Sequence, residues 1–372
     1  MGSKADINKN NNRLKILFLV NIPSPYRNNF FNELGKKCNL TVLFEKRVAE
    51  DRKWQTEKNI NYKAIYMNGK KTSPDTALCF EVIKYLKMDF DKVVIGGYST
   101  PTGMLAITYL NLKKKRFYLN CDGGIIKNES KINYIIKKHF IKSAYIWLSS
   151  GIETNNYLKH YGAKSDRIYN YPFSSINNTD ILEKPLSISQ KKLLRAELNI
   201  NSSKMIISVG QFIERKGFDL LIRAAKDFPE IDFYLIGGKS TEAYNKLITS
   251  LNIKNIYFYD FMEKKRLYLY YQSADLMVFP TREDIWGLVI NEAMANGLPI
   301  ISTNKCNAAK ELVKANGIII ESDNLKQLKE AISFLMNDLN QLLEMSNISC
   351  EIIRNYTIES MAQKHIEIFT NT

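Results

Sequence analysis

Histidine is scarce, with three residues in 372. His139, His160 and His365 stand far apart, without metal-ligand spacing, so no catalytic metal is expected, and no Ser–His–Asp or Cys–His arrangement offers itself. Cysteine is also sparse: Cys38, Cys79, Cys121, Cys306 and Cys350 are odd in number and contain no CxxC pair. That excludes a disulfide framework and a structural zinc site, and it fits a reducing cytoplasm. No apolar run approaches the roughly 20 residues that span a bilayer. The run 14–20 enters Asn21-Ile22-Pro23 without a small-residue cleavage site, so it reads as a buried strand rather than a signal peptide. Acidic residues are in deficit, 38 against 53 Lys and Arg, which leaves a net charge of +15. Yet there is no RNP-type motif, zinc-finger spacing or long basic helix, so nucleic acid is not the expected partner. The basic clusters at 36–37, 70–71, 113–116 and 137–138 lie in the first half. A solvated exterior accounts for such a surplus, and an anionic membrane surface is the partner it leaves open.

What is present is the rhythm of a soluble globular chain, 45% hydrophobic and 24% charged, in which disorder is disfavoured. Residues 1–12 are polar and read as a tail set apart from the fold. From Leu14 onward short apolar runs alternate with amphipathic stretches, the pattern of βα units and parallel sheets. The pattern predicts strands over 15–20, 40–44, 92–95, 117–119 and 145–148. Helices are predicted over 28–35, 76–87, 101–112, 132–141 and 153–161. The polar segment 174–189, with Pro185, reads as a linker. The rhythm then restarts, with strands over 205–209, 232–236, 256–258, 276–279, 299–302 and 317–320. Helices are predicted over 216–225, 243–251, 265–273 and 289–295. Two α/β domains are expected, over 13–180 and 190–350. A last segment, 351–372, contains an amphipathic helix expected to cross back to the first domain. Open parallel sheets bind ligands at the carboxyl ends of their strands.

Two stretches carry chemistry. In the first, the strand 276–279 meets Pro280, a polar turn with Arg282, Glu283 and Asp284, and a helix opening near Gly287. Gly287 lets backbone approach a ligand, and the opening amides of a helix form an anion pocket. Glu292 lies about a turn and a half inside that helix, so Asp284 and Glu292 can bracket one ligand. In the second stretch, Gly210-Gln211 follows a strand, and Arg215-Lys216-Gly217 precedes a helix. Two cations at a helix start oppose its dipole. They make sense facing a diphosphate.

Together these stretches resemble the donor-site motifs of retaining glycosyltransferases of family 4. The Asp284-x7-Glu292 pair resembles the family's Glu-x7-Glu element, followed by Glu292-Ala-Met-Ala-Asn-Gly297-Leu-Pro. The Gly210-Gln211 stretch through Lys216-Gly217-Phe218-Asp219-Leu220 resembles its second turn, and the likeness extends to Phe261-Met262 and Tyr270-Tyr271. The resemblance implies a GT-B fold, two Rossmann-like α/β domains facing across a cleft. It further implies that Arg215 and Lys216 hold the diphosphate, that Glu292 binds the ribose hydroxyls, and that Phe261 and Met262 line the base pocket. Gly287, Leu288 and Val289 would present amides to phosphates and sugar, beside Gly210, Gln211 and Glu283. Asp284 stands one methylene short of the family's first Glu, and Gln211 stands where many members carry Arg.

The first half resembles the family more loosely. Pro25, Tyr26 and Arg27 follow the first strand, Tyr98 follows Gly96-Gly97, and Asp122 precedes Gly123-Gly124. Arg27 and Asp122 are acceptor-side candidates, with Pro25, Tyr26 and Tyr98 beside them, and Asp122 joins Arg215, Lys216 and Asp284 among expected catalytic groups. The implied activity is metal-independent and cofactor-free transfer of a hexose-type sugar from a nucleoside diphosphate, UDP foremost. The implied acceptor is a hydroxyl of a glycan or lipid-linked glycan of surface polysaccharide. A cytoplasmic enzyme, peripheral at the membrane, fits. A degenerate transferase acting as a binding or chaperone subunit, or a nucleotide-sugar epimerase on the same fold, remains the alternative.

Overall fold

The computed structural model describes residues 13–48 and 60–372, so the polar tail 1–12 lies outside the described residues. Tertiary contacts divide the chain into two units. One comprises residues up to Ser175 together with Ile358–Thr372, the other Ile176–Thr357.

The first unit begins with β1 (Lys15–Val20), α1 (Pro25–Gly35), β2 (Asn39–Phe44) and β3 (Lys63–Tyr66). The short strands β4 (Lys70–Lys71) and β5 (Ala77–Leu78) pair antiparallel by themselves. Then come α2 (Val82–Leu86), β6 (Lys92–Ile95), α3 (Pro101–Leu112), β7 (Tyr118–Cys121), α4 (Lys131–Lys142), β8 (Ile146–Ser149), α5 (Ile152–His160) and β9 (Ile168–Asn170). Seven strands form one sheet in the order β3-β2-β1-β6-β7-β8-β9. Every pairing in it is parallel. Strands covered on both faces read as continuous apolar runs, as 16–20 does, and that makes them legible in the sequence. Local chemistry sets the helix starts. Pro25 and Pro101 occupy first turns, where a missing N–H costs nothing, and the Thr100 hydroxyl accepts from Gly103 N at 3.0 Å.

The helix expected over 76–87 is not formed across that span. Ala77 N donates to the Glu45 carboxylate at 3.1 Å, and Ala77 O accepts from the Thr102 hydroxyl at 2.6 Å. Cys79 N donates to the same hydroxyl at 2.9 Å. Side chains distant in sequence thus satisfy an extended backbone here, and the helix begins only at Val82.

The second unit runs α6 (Ile188–Glu197), β10 (Met205–Val209), α7 (Phe218–Ala225), β11 (Asp232–Ile236), α8 (Glu242–Leu251), β12 (Ile256–Tyr259) and α9 (Lys264–Ser273). It continues with β13 (Leu276–Phe279), α10 (Leu288–Ala295), β14 (Ile300–Thr303), α11 (Asn307–Leu312), β15 (Gly317–Ile320), α12 (Leu325–Met336) and α13 (Leu339–Ile353). Its sheet, again all parallel, has the order β12-β11-β10-β13-β14-β15. Helix α6, absent from the sequence expectation, opens on a capping box between Ser187 and Gln190. It is fastened by Arg195, which donates to Ser273 O at 2.8 Å and to Asp275 at 2.7 Å. Phe218, Leu221, Phe233, Leu276, Ile301, Ile332 and Leu335 lie in one fully buried cluster of this unit.

Helix α14 (Ile358–Asn371) belongs to the first unit. Ile358, Met361, Ala362, His365 and Phe369 are its buried stripe, at helical spacing. The His365 ring lies 4.7 Å from Phe30 on α1, and Phe369 lies 5.3 Å from Tyr118 on β7.

In each sheet the strand order reverses once, between β1 and β6 and between β10 and β13. The chains leaving those two neighbours depart to opposite sides, which opens a crevice at the carboxyl ends. Backbone at the second switch is closely fitted. Gly217 has φ +67°, and a Cβ there would lie 2.1 Å from the carbonyl oxygen of Pro280. Gly217→Ala is therefore expected to destabilise the second unit by about 2–4 kcal/mol, from left-handed strain plus overpacking. A urea midpoint indistinguishable from wild type would show that the two turns are not pressed together there.

Candidate functional site

Strands β10 and β13 are direct neighbours, with Ile206 opposite Leu276 and Ile207 opposite Met277. The turns that follow them, 68 residues apart in sequence at Lys216 and Asp284, are therefore laid side by side. Arg282 N donates to Arg215 O at 2.8 Å, and the Thr281 hydroxyl reaches the same oxygen at 3.0 Å. The Arg282 side chain completes the fastening. Its guanidinium takes both oxygens of Asp219 at 2.8 Å, Asp323 at 2.7 Å and the Glu214 carbonyl at 2.6 Å. Burial works against ionising Asp219, but the bidentate guanidinium holds its carboxyl below the ordinary value. Sequence places Arg282 in the turn without a role; only its partners, distant along the chain, disclose one.

Within this frame Lys216 Nζ donates to the Asp284 carboxylate, and each side chain is only 12% exposed. The ammonium also lies 4.9 Å from the centre of the Phe279 ring. Arg215 is more open; it donates to the Glu283 carbonyl at 2.5 Å and stands 3.9 Å from Asp284. Asp284 is positioned from behind. Its amide donates to Lys305 O at 2.9 Å, and its other oxygen accepts from Trp286 N at 3.3 Å. Gly287, at φ +101°, caps α10, and a Cβ there would lie 2.8 Å from the buried sulfur of Cys306. The opening amides of α10, at Leu288 and Val289, have no acceptor inside the helix. Gly210 and Gln211 leave the end of β10, with Gly210 N donating to Ile236 O at 2.9 Å and Gln211 exposed.

Glu292 lies one turn farther along α10, where it accepts from the buried Tyr271 hydroxyl of α9 at 3.3 Å. Phe261 and Met262 follow β12, two strands from β10, and Phe261 is half exposed. The second unit thus brings together Gly210, Gln211, Arg215, Lys216, Glu283, Asp284, Gly287, Leu288 and Val289. Glu292 lies farther along α10, and Phe261 and Met262 follow β12.

In the first unit, Pro25 opens α1, and Tyr26 and Arg27 reach across to Asp122, which follows β7. One Asp122 oxygen accepts from Arg27 and Tyr26, each at 3.2 Å. The other accepts from Asn120 at 2.7 Å and from the buried Tyr171 hydroxyl at 2.8 Å. Four donors converge on one carboxylate, so its lone pairs are already engaged. Arg27 also donates to Asn21, which in turn donates to Asp75 at 3.0 Å. Tyr98 stands apart from this group, its hydroxyl bonded to that of Tyr157. Sequence reasoning missed two ionisable members of the same neighbourhood. Glu45, only 3% exposed, accepts from the Thr100 hydroxyl at 2.5 Å and from Ala77 N. His365, fully buried, lies with one ring nitrogen 3.3 Å from Asn120 Oδ1.

Residues 190–349 match the family model described as glycosyl transferases group 1. A glycosyltransferase of unassigned specificity from Haemophilus influenzae is 29% identical over 200 residues, 52% of this chain and 55% of that protein. A D-inositol 3-phosphate glycosyltransferase from Corynebacterium diphtheriae is 25% identical over 250 residues, 63% of this chain and 58% of that one. Among solved structures, sucrose-phosphate synthase from Thermosynechococcus elongatus superposes with a TM-score of 0.77 at 16% identity, covering 96% of this chain and 99% of that one. Anabaena HepE, in a complex with UDP and glucose, gives 0.76 at 16% identity, over 96% and 100%. The fold is GT-B, built from two Rossmann-like α/β units. This GT-B chain spans about half to two thirds of the length of the relatives it matches, from 50% to 66%. The structural likeness, at these identities, carries the fold.

Two buried groups of this GT-B chain have opposite pH signatures. Burial raises the Glu45 carboxyl from 4.5 to about 7, so the folded first unit binds a proton more readily than the unfolded chain. Its contribution is intact below about 4.5 and is lost as pH rises through about 7. Burial lowers His365 from 6.5 to about 4, so stability falls as pH drops through that window. Glu45→Gln is expected to remove the alkaline decline, stabilising the first unit at pH 8 by about 2–3 kcal/mol while leaving the acid-side fall. Parallel urea titrations of wild type and variant across pH would be flat relative to each other if Glu45 were solvated.

Proposed function

We propose that the chain transfers a hexose-type sugar from a nucleoside diphosphate, UDP foremost, to a hydroxyl of a glycan or lipid-linked glycan in surface polysaccharide synthesis. The observation that carries this reading is the meeting of Arg215, Lys216 and the opening amides of α10 at one sheet switch. A pyrophosphate needs several donors of positive potential converging from different directions, and such a corner supplies them. Relatives support the pathway. A lipopolysaccharide core glycosyltransferase of Rhizobium meliloti and an O-antigen glycosyltransferase of Escherichia coli are each 24% identical to parts of this chain.

The family 4 motifs favour retention of configuration. The acceptor oxygen attacks the anomeric carbon from the face that the diphosphate leaves. The anomeric C–O bond to phosphate breaks, its electron pair stays on the phosphate, and the acceptor's proton passes to that oxygen. Lys216, Arg215 and the Leu288 and Val289 amides offset the growing charge, which is electrostatic stabilisation without a metal. Glu292 holds the ribose hydroxyls, and Asp284 orients both the sugar and Lys216. Phe261 and Met262 flank the base. Pro25, Tyr26, Arg27, Tyr98 and Asp122 belong to the acceptor side, in an enzyme working at the cytoplasmic face of a membrane. A binding-only subunit would keep donor affinity without turnover.

Lys216→Ala is expected to lower kcat/KM for UDP-sugar transfer at least about tenfold, because a charge-assisted contact to phosphate contributes roughly 1.5–3 kcal/mol. The same assay should be unaffected by excess EDTA. Unaltered kinetics in a folded Lys216→Ala protein, or no turnover of any UDP-, GDP- or TDP-sugar by wild type, would count against transfer at this corner.

Glu292→Ala is expected to weaken UDP binding by roughly 1–3 kcal/mol, seen by calorimetry as a loss common to UDP and UDP-sugar. A loss confined to the sugar nucleotide would move Glu292 from the ribose to the transferred group.

A further inference from the structure

Helix α4 carries two apolar stripes, and only one is covered. Tyr134 and Ile141 face the first unit. The Tyr134 ring lies 5.5 Å from that of Tyr161, and Ile141 is fully buried, its carbonyl accepting from Trp147 Nε1 at 2.8 Å. At 100° per residue, Ile132, Ile135 and Ile136 fall on the opposite side of the helix, with His139 between them. They are 69%, 62% and 41% exposed, and Ile126 in the preceding segment is 48% exposed. A surface helix ordinarily presents one apolar stripe, toward its core. Three isoleucines aligned in water on the other side require a different occupant.

Charge says which. The helix, KINYIIKKHFIK, contains four lysines and no acid, and of these Lys137 is answered by Glu129 at 2.7 Å. Lys131, Lys138 and Lys142 project beside Ile135. Lys142 also lines a concavity of about 310 Å³, whose wall carries Lys114, Lys115, Arg116, Lys164 and Arg167 as well. The two guanidiniums lie 4.3 and 4.7 Å from the Tyr145 ring. Among the described residues, none of these six cations is paired with a carboxylate. A polyanion in water would use the cations and leave the isoleucines exposed; an apolar protein groove would do the reverse. A bilayer of anionic lipid offers a plane of phosphates with hydrocarbon directly beneath, and it satisfies both.

We propose that the first unit docks on an anionic bilayer, with Ile132, Ile135 and Ile136 of α4 among the acyl chains and the basic concavity around lipid phosphates. The proposal does not depend on sugar transfer, because binding needs no turnover.

Co-sedimentation of the full chain with phosphatidylcholine vesicles, with and without phosphatidylglycerol, tests it. Wild type is expected to partition onto the anionic vesicles and to be released by salt. The triple variant Ile132→Ser, Ile135→Ser, Ile136→Ser, altered only at exposed positions and expected to melt like wild type, should lose at least about tenfold in partitioning. Lys142→Glu with Arg167→Glu should lose at least about tenfold as well. Equal binding to both vesicle types, or a triple variant that binds like wild type, overturns the proposal. So does inorganic pyrophosphate that raises the melting temperature through Lys142 and Arg167 while vesicles do not bind, since the concavity would then be a site for soluble phosphate.

Discussion

The parallel pairing of β10 with β13 is the constraint on which the candidate site depends. Each strand is fixed by burial on both faces, and their neighbourhood in the sheet makes the following turns neighbours too. Nothing local to residues 210–217 or 280–287 brings them together. Once β11 and β12 have been laid on one side of β10 and β14 and β15 on the other side of β13, the crevice between the departing chains is unavoidable. Chemistry is then a matter of what side chains the two turns carry.

Position alone would leave those turns loose, and Arg282 supplies the stiffness. One guanidinium engages a helix residue, Asp219, a turn carbonyl, at Glu214, and a loop carboxylate, Asp323. Planar and always charged, it holds three partners that a lysine would hold one at a time. Gly217 allows the fit by letting the Pro280 carbonyl come where a Cβ would sit. The result is that Arg215, Lys216 and Asp284 are held by backbone already locked on both sides. Preorganised donors cost little reorganisation when charge develops in front of them.

Much of this is legible in the sequence, for physical reasons. Fully buried parallel strands announce themselves as apolar runs, and the two turns announce themselves by cations and glycines that a bland cap does not explain. What is illegible depends on partners far away in the chain. Residues 77–79 lie in a stretch of helical apolar spacing, yet Glu45 and Thr102 hold their backbone extended. Helices α11, α12 and α13 are absent from the sequence expectation, although α12 and α13 have capped starts at Asn324 and Asp338, and Leu328, Ile332 and Leu335 of α12 recur at helical spacing. The linker expected over 174–189 runs into the capping box of α6, whose Ser187 and Gln190 are a readable signal. In the first unit Arg27 and Asp122 stand out separately. Their partnership with Tyr171 and the proximity of Glu45 and His365 are products of the tertiary fold.

The Lys216–Asp284 pair states the chemical problem of such a corner. In the proposed role, a cation that meets a diphosphate must be held in place beforehand without being tied up. A neighbouring carboxylate positions it, but a carboxylate that held it too well would compete with phosphate. Asp284, one methylene shorter than glutamate, is tethered by its own amide to Lys305 and by its second oxygen to Trp286. Its reach is therefore fixed by the turn, while Lys216 moves on a four-carbon stem with three donors to distribute. The rigid partner and the flexible one complement each other. Asp284 positions the ammonium, and in the proposed role Lys216 can lend a donor to phosphate without leaving the carboxylate.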